Sequence, residues 1–217
     1  NYDVLVFASR DIEIVKIPSF IRIIGYNALN GCDSIQKVEF SDDSQLEIIQ
    51  QNAFFKSSVN RISIPPRLKC ICEEAFMVCT NLRHIDIPSN SELKTIEKYA
   101  FANSSLERIS IPSNLTTIGG NAFSICSKLR RVDIPWNSEL EIISNDAFCH
   151  TAIRCFKIPP KVIQIGKFAF SSCNRLQIIE IDENSELHYI SYNMFLECHH
   201  LVITIPVNLR NQIKIFD

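Results

Sequence analysis

The chain has 217 residues, 46% of them hydrophobic, and a formal net charge of −2. This is enough apolar material for a continuous core in one elongated domain, and the balanced charge gives no basis for a nucleic-acid or anionic-membrane partner. No apolar run approaches the roughly 18 residues of a membrane-spanning helix, and no secretory leader is recognisable.

In chain order, one three-part unit recurs. Its clearest copy is Leu106 to Lys128, LERISIPSNLTTIGGNAFSICSK. The first part alternates apolar and polar residues, as a half-buried strand does, and a Pro closes it. Such parts begin at Ile12, Ile35, Val59, Leu82, Leu106, Leu129, Ile153 and Leu176, with a degenerate ninth at His200. The second part is a short apolar pair: Ile21/Ile24, Leu46/Ile49, Leu68/Ile71, Leu93/Ile96, Leu115/Ile118, Leu140/Ile143, Val162/Ile165 and Leu187/Ile190. The third centres on an Ala-Phe pair, whose second residue is in turn Phe7, Leu29, Phe54, Phe76, Phe101, Phe123, Phe148, Phe170 and Phe195. These last positions are separated alternately by 22 and 25 residues, so the larger unit is a pair of repeats spanning 47. A period in this range is the mark of a solenoid. The longer copies insert two residues after the strand, as in Asn90-Ser-Glu-Leu93, where loop length is cheap.

The pattern LxxIxIPxxLxxIxxxAFxxCxx resembles the leucine-rich repeat of the Treponema pallidum type found in BspA-like proteins. The strand part also fits LxxLxLxxN, with Asn90, Asn114, Asn137 and Asn184 at its last position. The resemblance covers nearly the whole chain. It implies an α/β leucine-rich-repeat solenoid, a single domain over residues 1–217, with 207–217 as a short cap or truncated repeat. Because the first copy opens in mid-unit at Phe7, the chain reads as part of a longer array or one trimmed close to its first rung.

The physical expectation agrees. Stacked strands in parallel bury what one repeat cannot bury alone, and parallel crossovers are right-handed. About nine rungs at about 4.8 Å give a concave sheet of about 40 Å. Short strands and the AFxxC turns, as brief α or 3₁₀ helices, should form the convex side. The Phe column should be a core ladder.

Nine cysteines is an odd number. Cys32, Cys79, Cys126 and Cys173 recur every 47 residues, and Cys198 holds the same place after its Phe. Equivalent positions two rungs apart lie about 10 Å apart, beyond disulfide reach, so these five are expected as buried free thiols. Cys70-x-Cys72 flanks an inward Ile71 and shows no His or further Cys at ligand spacing. It and Cys198-His199-His200 are read as variation of the repeat, and no metal or cofactor is expected. No Ser/His/Asp or Cys/His nucleophile stands out, and no Gly-rich phosphate loop exists. The chain is not read as an enzyme.

Function is expected on the concave face, where the third and fifth residues of each LxxIxI point outward. Lys37, Arg61, His84, Arg108 and Arg131 form a basic stripe, and Asp86 and Asp133 lie beside it. In-strand pairing of Lys37 with Glu39, His84 with Asp86 and Arg131 with Asp133 would make this a solvated face. A protein- or peptide-binding surface is the functional alternative, since mixed signs disfavour nucleic acid. Trp136 is the sole Trp, and its repeat equivalents Asp42, Ser89 and Glu183 are polar, which marks it as exposed and a candidate contact.

The resemblance implies a cell-surface protein, with adhesion to a host matrix or surface protein as its role. An intracellular interaction scaffold is the alternative, which free thiols would fit. Of two sequons, Asn103-Ser-Ser105 falls on a convex loop, whereas Asn114-Leu-Thr116 sits inward.

Overall fold

The computed structural model describes residues 3–216. Asn1, Tyr2 and Asp217, the last of these in the expected cap, lie outside the described residues. The chain winds as a solenoid with two parallel sheets back to back. Nine first-part strands form the concave side: Ile14–Ile17, Lys37–Phe40, Arg61–Ser63, His84–Asp86, Arg108–Ser110, Arg131–Asp133, Cys155–Ile158, Ile178–Ile181 and Val202–Thr204. Second-part strands, from Val4–Leu5 to Gln164–Ile165, form an eight-stranded sheet opposite. Lys214–Phe216 pairs with Tyr189–Ser191, so the stretch after Pro206 supplies a further convex strand.

The middle residue of each first strand faces inward. Val15, Val38, Ile62, Ile85 and Ile109 are buried while their neighbours are not. In the interior, Phe54, Phe76, Phe101, Phe123, Phe148, Phe170 and Phe195 stack in one column, with successive ring centroids 4.7–5.6 Å apart and nearly parallel planes. Leu29 continues the column, fully buried. Phe7 does not, and its exposure is 75%. From Leu29 onward the N–H of the column residue donates to the carbonyl of the residue before the next Phe, as Phe54 does to Ala75 and Phe170 to Met194. In the first copy Ala8 makes that bond, to Ala28, so the register has slipped by one residue and Phe7 is turned outward.

The AFxxC segments are mostly not helices. Among the described residues only Tyr192–Phe195 forms a 3₁₀ turn in this part. The cause is a pair of left-handed positions in each rung from Asn27 to Ser172, one before the Ala and one two after the Phe or Leu. The second column reads Gly31, Lys56, Val78, Asn103, Ile125, His150, Ser172 and Glu197, with φ between 55° and 64°. Alternate N–H groups there bond to the next rung instead of to their own turn: Asn52 to Glu73, Phe54 to Ala75 and Lys56 to Met77. The turns thus make a third ladder. A β-branched residue is strained in this conformation by about 1–2 kcal/mol. Replacing exposed Ile125 by Asn, which occupies the same position at 103, is expected to raise stability by about 1 kcal/mol, read from the urea midpoint.

Two small polar columns are built into the core. At the position three after each Phe, thiols alternate with hydroxyls. Ser57 contacts the Cys79 sulfur at 3.5 Å, Ser104 that of Cys126 at 3.3 Å and Thr151 that of Cys173 at 3.2 Å. Cys79, Cys126 and Cys173 donate in turn to the carbonyls of Phe54, Phe101 and Phe148. In the longer repeats, Ser44, Ser91, Ser138 and Ser185 accept the N–H of the Leu two residues on, which shapes the inserted turn.

All nine cysteines are free thiols. Cys198 is only half-buried, unlike the other four of its column, because it lies on the last full rung. Burial pushes the Cys79 thiol up to about 12 and those of Cys126 and Cys173 up to about 11. Since the thiolate is the nucleophile, alkylation of the native protein at neutral pH should reach exposed Cys155 and leave these three untouched until unfolding. Mass mapping of the alkylated sites checks this. A disulfide between two of the three would contradict the rung spacing.

The concave sheet is interrupted. Its six strands from Ile14–Ile17 to Arg131–Asp133 pair in sequence, and the last three form a separate sheet. At the break the inward residue changes from Val132 to Phe156. The Phe156 ring packs edge-on against Phe148 and Phe170, at 5.4 and 4.8 Å. The break in pairing coincides with this change from Val to a ring, although on its other side the Phe156 strand pairs in full with Ile178–Ile181.

Candidate functional site

Strand register places the predicted basic residues in one row. Lys37 pairs with Arg61, Arg61 with His84, His84 with Arg108 and Arg108 with Arg131. The acidic row runs beside it, with Ser63 opposite Asp86 and Ser110 opposite Asp133. Parallel pairing without stagger explains this: the same position of each repeat lands on the same line.

The ion pairs divide this row. Lys37 bonds Glu39 at 2.8 Å, and that hydrogen bond holds the Glu39 carboxyl below its usual range. Arg131 bonds Asp133 within its own strand. Asp86, however, pairs with Arg61 across the rungs at 2.9 Å and also accepts from Ser63. It does not bond His84, contrary to the in-strand expectation. The longer arginine reaches the diagonal, while the His84 ring is half-buried and its Nδ1 has no partner. Arg108 likewise has no ion pair among the described residues. His84 and Arg108 are therefore left without ion pairs, among the described residues, between two neutralised arginines.

Concavities flank the row. On the strand-entry side, Glu13, Asp33, Gln36, Asn60, Arg61 and His84 are among the residues lining a polar hollow of about 650 Å³. On the exit side, Ile87, Ile111 and Ile134 with the Pro after each line a more apolar one of about 420 Å³ that reaches Asp133. Trp136 is 86% exposed and borders a small pocket of about 100 Å³ with Pro135, Pro159 and Pro160. The hollows on both sides carry features the sequence reading had not assigned to function. The exit-side hollow follows the Ser and Pro residues that close each strand, a signal present in the repeat but visible only once the rungs are stacked.

The face presents charged side chains on paired strands with an apolar margin. Among the described residues no helix is long and apolar enough to cross a membrane.

Solved structures share this architecture. The pneumococcal vaccine antigen PcpA matches with a TM-score of 0.55 at 18% identity over 94% of this chain and 79% of the other. A leucine-rich repeat protein from Bacteroides ovatus matches with a TM-score of 0.59 at 19% identity over 95% and 75%. The T. pallidum leucine-rich repeat protein matches with a TM-score of 0.50 at 21% identity over 94% and 73%. At such identities the likeness speaks for the fold. No curated protein matches at the sequence level. The model of the BspA type leucine-rich repeat region matches in six copies over residues 4–130 and 94–215. With strands, Phe ladder and turns repeating in the register that this pattern describes, the chain belongs to the BspA-type leucine-rich repeat family.

Proposed function

We propose that this domain is a non-catalytic protein-binding module, and that its concave row, centred on His84 and Arg108, contacts the partner. The observation that carries the reading is the pair of unpartnered groups in that row. The His84 Nδ1 is already buried without a hydrogen-bond partner in the free domain, so a partner would meet the half-buried ring through its remaining exposed edge. Arg108 projects from a strand fixed on both sides, so little entropy is lost when it is ordered. Arg61 and Arg131, already neutralised, contribute shape and register, while Asp86 and Asp133 set specificity against acidic partners. Lys37 and Trp136 lie at the ends of the face as rim contacts.

In the wider reading, the protein stands at a cell surface and adheres to a host matrix or surface protein. PcpA, which shares this fold, is a pneumococcal vaccine antigen, and this supports the surface reading. Asn103 is exposed on a left-handed turn, whereas the Asn114 amide donates to the Ser91 carbonyl. Glycan on Asn103 of the native protein would support passage through a eukaryotic secretory route.

Titration of a candidate matrix protein against wild type and Arg108→Ala/Arg131→Ala tests the face. Affinity should fall by at least about tenfold, the effect of losing one hot-spot arginine, with a weaker salt dependence of the on-rate. A folded double variant that binds as wild type would move the contact to Trp136 and the turns beside it.

A further inference from the structure

On the opposite sheet the winding assembles a donor set that the sequence separates. Cys70, in the strand Cys70–Ile71, and Cys72, just after it, flank the fully buried Ile71, so both thiols face outward on the same side. Their sulfurs lie 3.6 Å apart. The next rung places Glu97 beside them, with Oε1 3.5 Å from the Cys70 sulfur. One donor atom from each residue lies within 4.8 Å of the others, and all three residues are half-buried. No other group of three His, Cys, Asp or Glu side chains among the described residues converges in this way.

The spacing can be compared with a metal's requirements. Zinc takes sulfur at about 2.3 Å and carboxylate oxygen at about 2.0–2.2 Å in a tetrahedral shell. Those bond lengths place two sulfurs about 3.8 Å apart and a sulfur and an oxygen about 3.5 Å apart. The Cys70–Cys72 and Cys70–Glu97 separations of 3.6 and 3.5 Å match these closely, and the Cys72–Glu97 side of the triangle, within 4.8 Å, would close on binding. The carboxylate is also held from behind. The backbone N–H of Glu73 donates to Glu97 Oε2 at 2.9 Å, leaving Oε1 directed at the thiols. Such a second contact is what fixes a ligand's orientation in metal sites.

We propose that Cys70, Cys72 and Glu97 bind a single thiophilic divalent cation of the zinc type, with a fourth position open to water or an external donor. Binding forms two metal–sulfur bonds and one metal–oxygen bond, and the two thiol protons pass to solvent. The site lies on the convex sheet, away from the concave row, so metal and protein partner need not compete.

Cobalt(II) is the probe, added to reduced, metal-free protein without oxygen. One equivalent should bind with a thiolate-to-cobalt charge-transfer band and release about two protons per metal, and zinc should bleach the band. Cys72→Ser should abolish it, Glu97→Gln should weaken binding by at least about tenfold, and Cys155→Ser should leave it unchanged. Thermal melts of each variant establish that it is folded, and a metal-dependent rise in the wild-type midpoint gives a second readout that needs no variant. Absence of the band with both thiols free would overturn the site. So would a band that survives Cys72→Ser in folded protein, or Glu97→Gln binding as tightly as wild type.

Discussion

Phe123→Ala is expected to lower stability by about 3–5 kcal/mol, the cost of removing a buried aromatic ring and leaving a cavity. The ring is fully buried and lies between Phe101 at 5.3 Å and Phe148 at 5.2 Å. Removing it breaks two stacking contacts and opens the middle of the array, where both neighbouring rungs depend on it. Phe195→Ala should cost less, because Phe195 stacks only on Phe170, at 5.6 Å. Urea unfolding of the two variants measures the difference. Equal midpoint shifts would mean that the column does not transmit stability from rung to rung.

Gly166→Val is the second large effect, and it acts by crowding instead of by cavity. A Cβ added at Gly166 would sit 2.3 Å from the Asn145 backbone nitrogen and 2.5 Å from the Ser144 carbonyl carbon, both in the preceding rung. Those atoms belong to a hydrogen-bonded ladder and cannot give way separately. A loss of about 3 kcal/mol is expected, the upper part of the usual range for overpacking. Gly119 faces the same constraint against Glu97 and Lys98. Gly31→Val is the contrast: open space surrounds its Cβ position, so its penalty comes from its left-handed φ alone. Denaturation midpoints of the Gly166 and Gly31 variants separate crowding from backbone strain.

Most of the fold was legible in the sequence because a solenoid writes its register into the residue spacing. The Phe column, the inward Ile and Val of each strand, and the two sheets all follow from apolar periodicity. What was not legible depends on contacts between rungs. Asp86 chose Arg61 over His84 because an arginine spans the diagonal and a half-buried imidazole does not. Cys70 and Cys72 lacked a third donor only along the chain, since Glu97 reaches them through one turn of the winding. Phe7 matched the pattern yet fell outside the core, because a one-residue slip at the first rung puts Ala8 in its place. The AFxxC turns looked helical from the spacing of Ala, Phe and Cys, but left-handed residues sent their N–H groups to the next rung.

The interruption between Arg131–Asp133 and Cys155–Ile158 has a mechanical meaning. At every other step of the concave side a hydrogen-bonded ladder resists opening. At this step the rungs remain tied along the convex sheet, where Ile118, Ile143 and Ile165 pair in turn, and along the turn ladder from Phe123 to Ala147 and Phe148 to Ala169. On the concave side the two strands stay adjacent without ladder pairing, and the Phe156 ring packs across the step onto Phe148. Fastened on one side and unladdered on the other, the step is a joint with a set direction of bending. Bending at this step would change the angle between the basic row before it and the exposed Ile178 and Val202 beyond it.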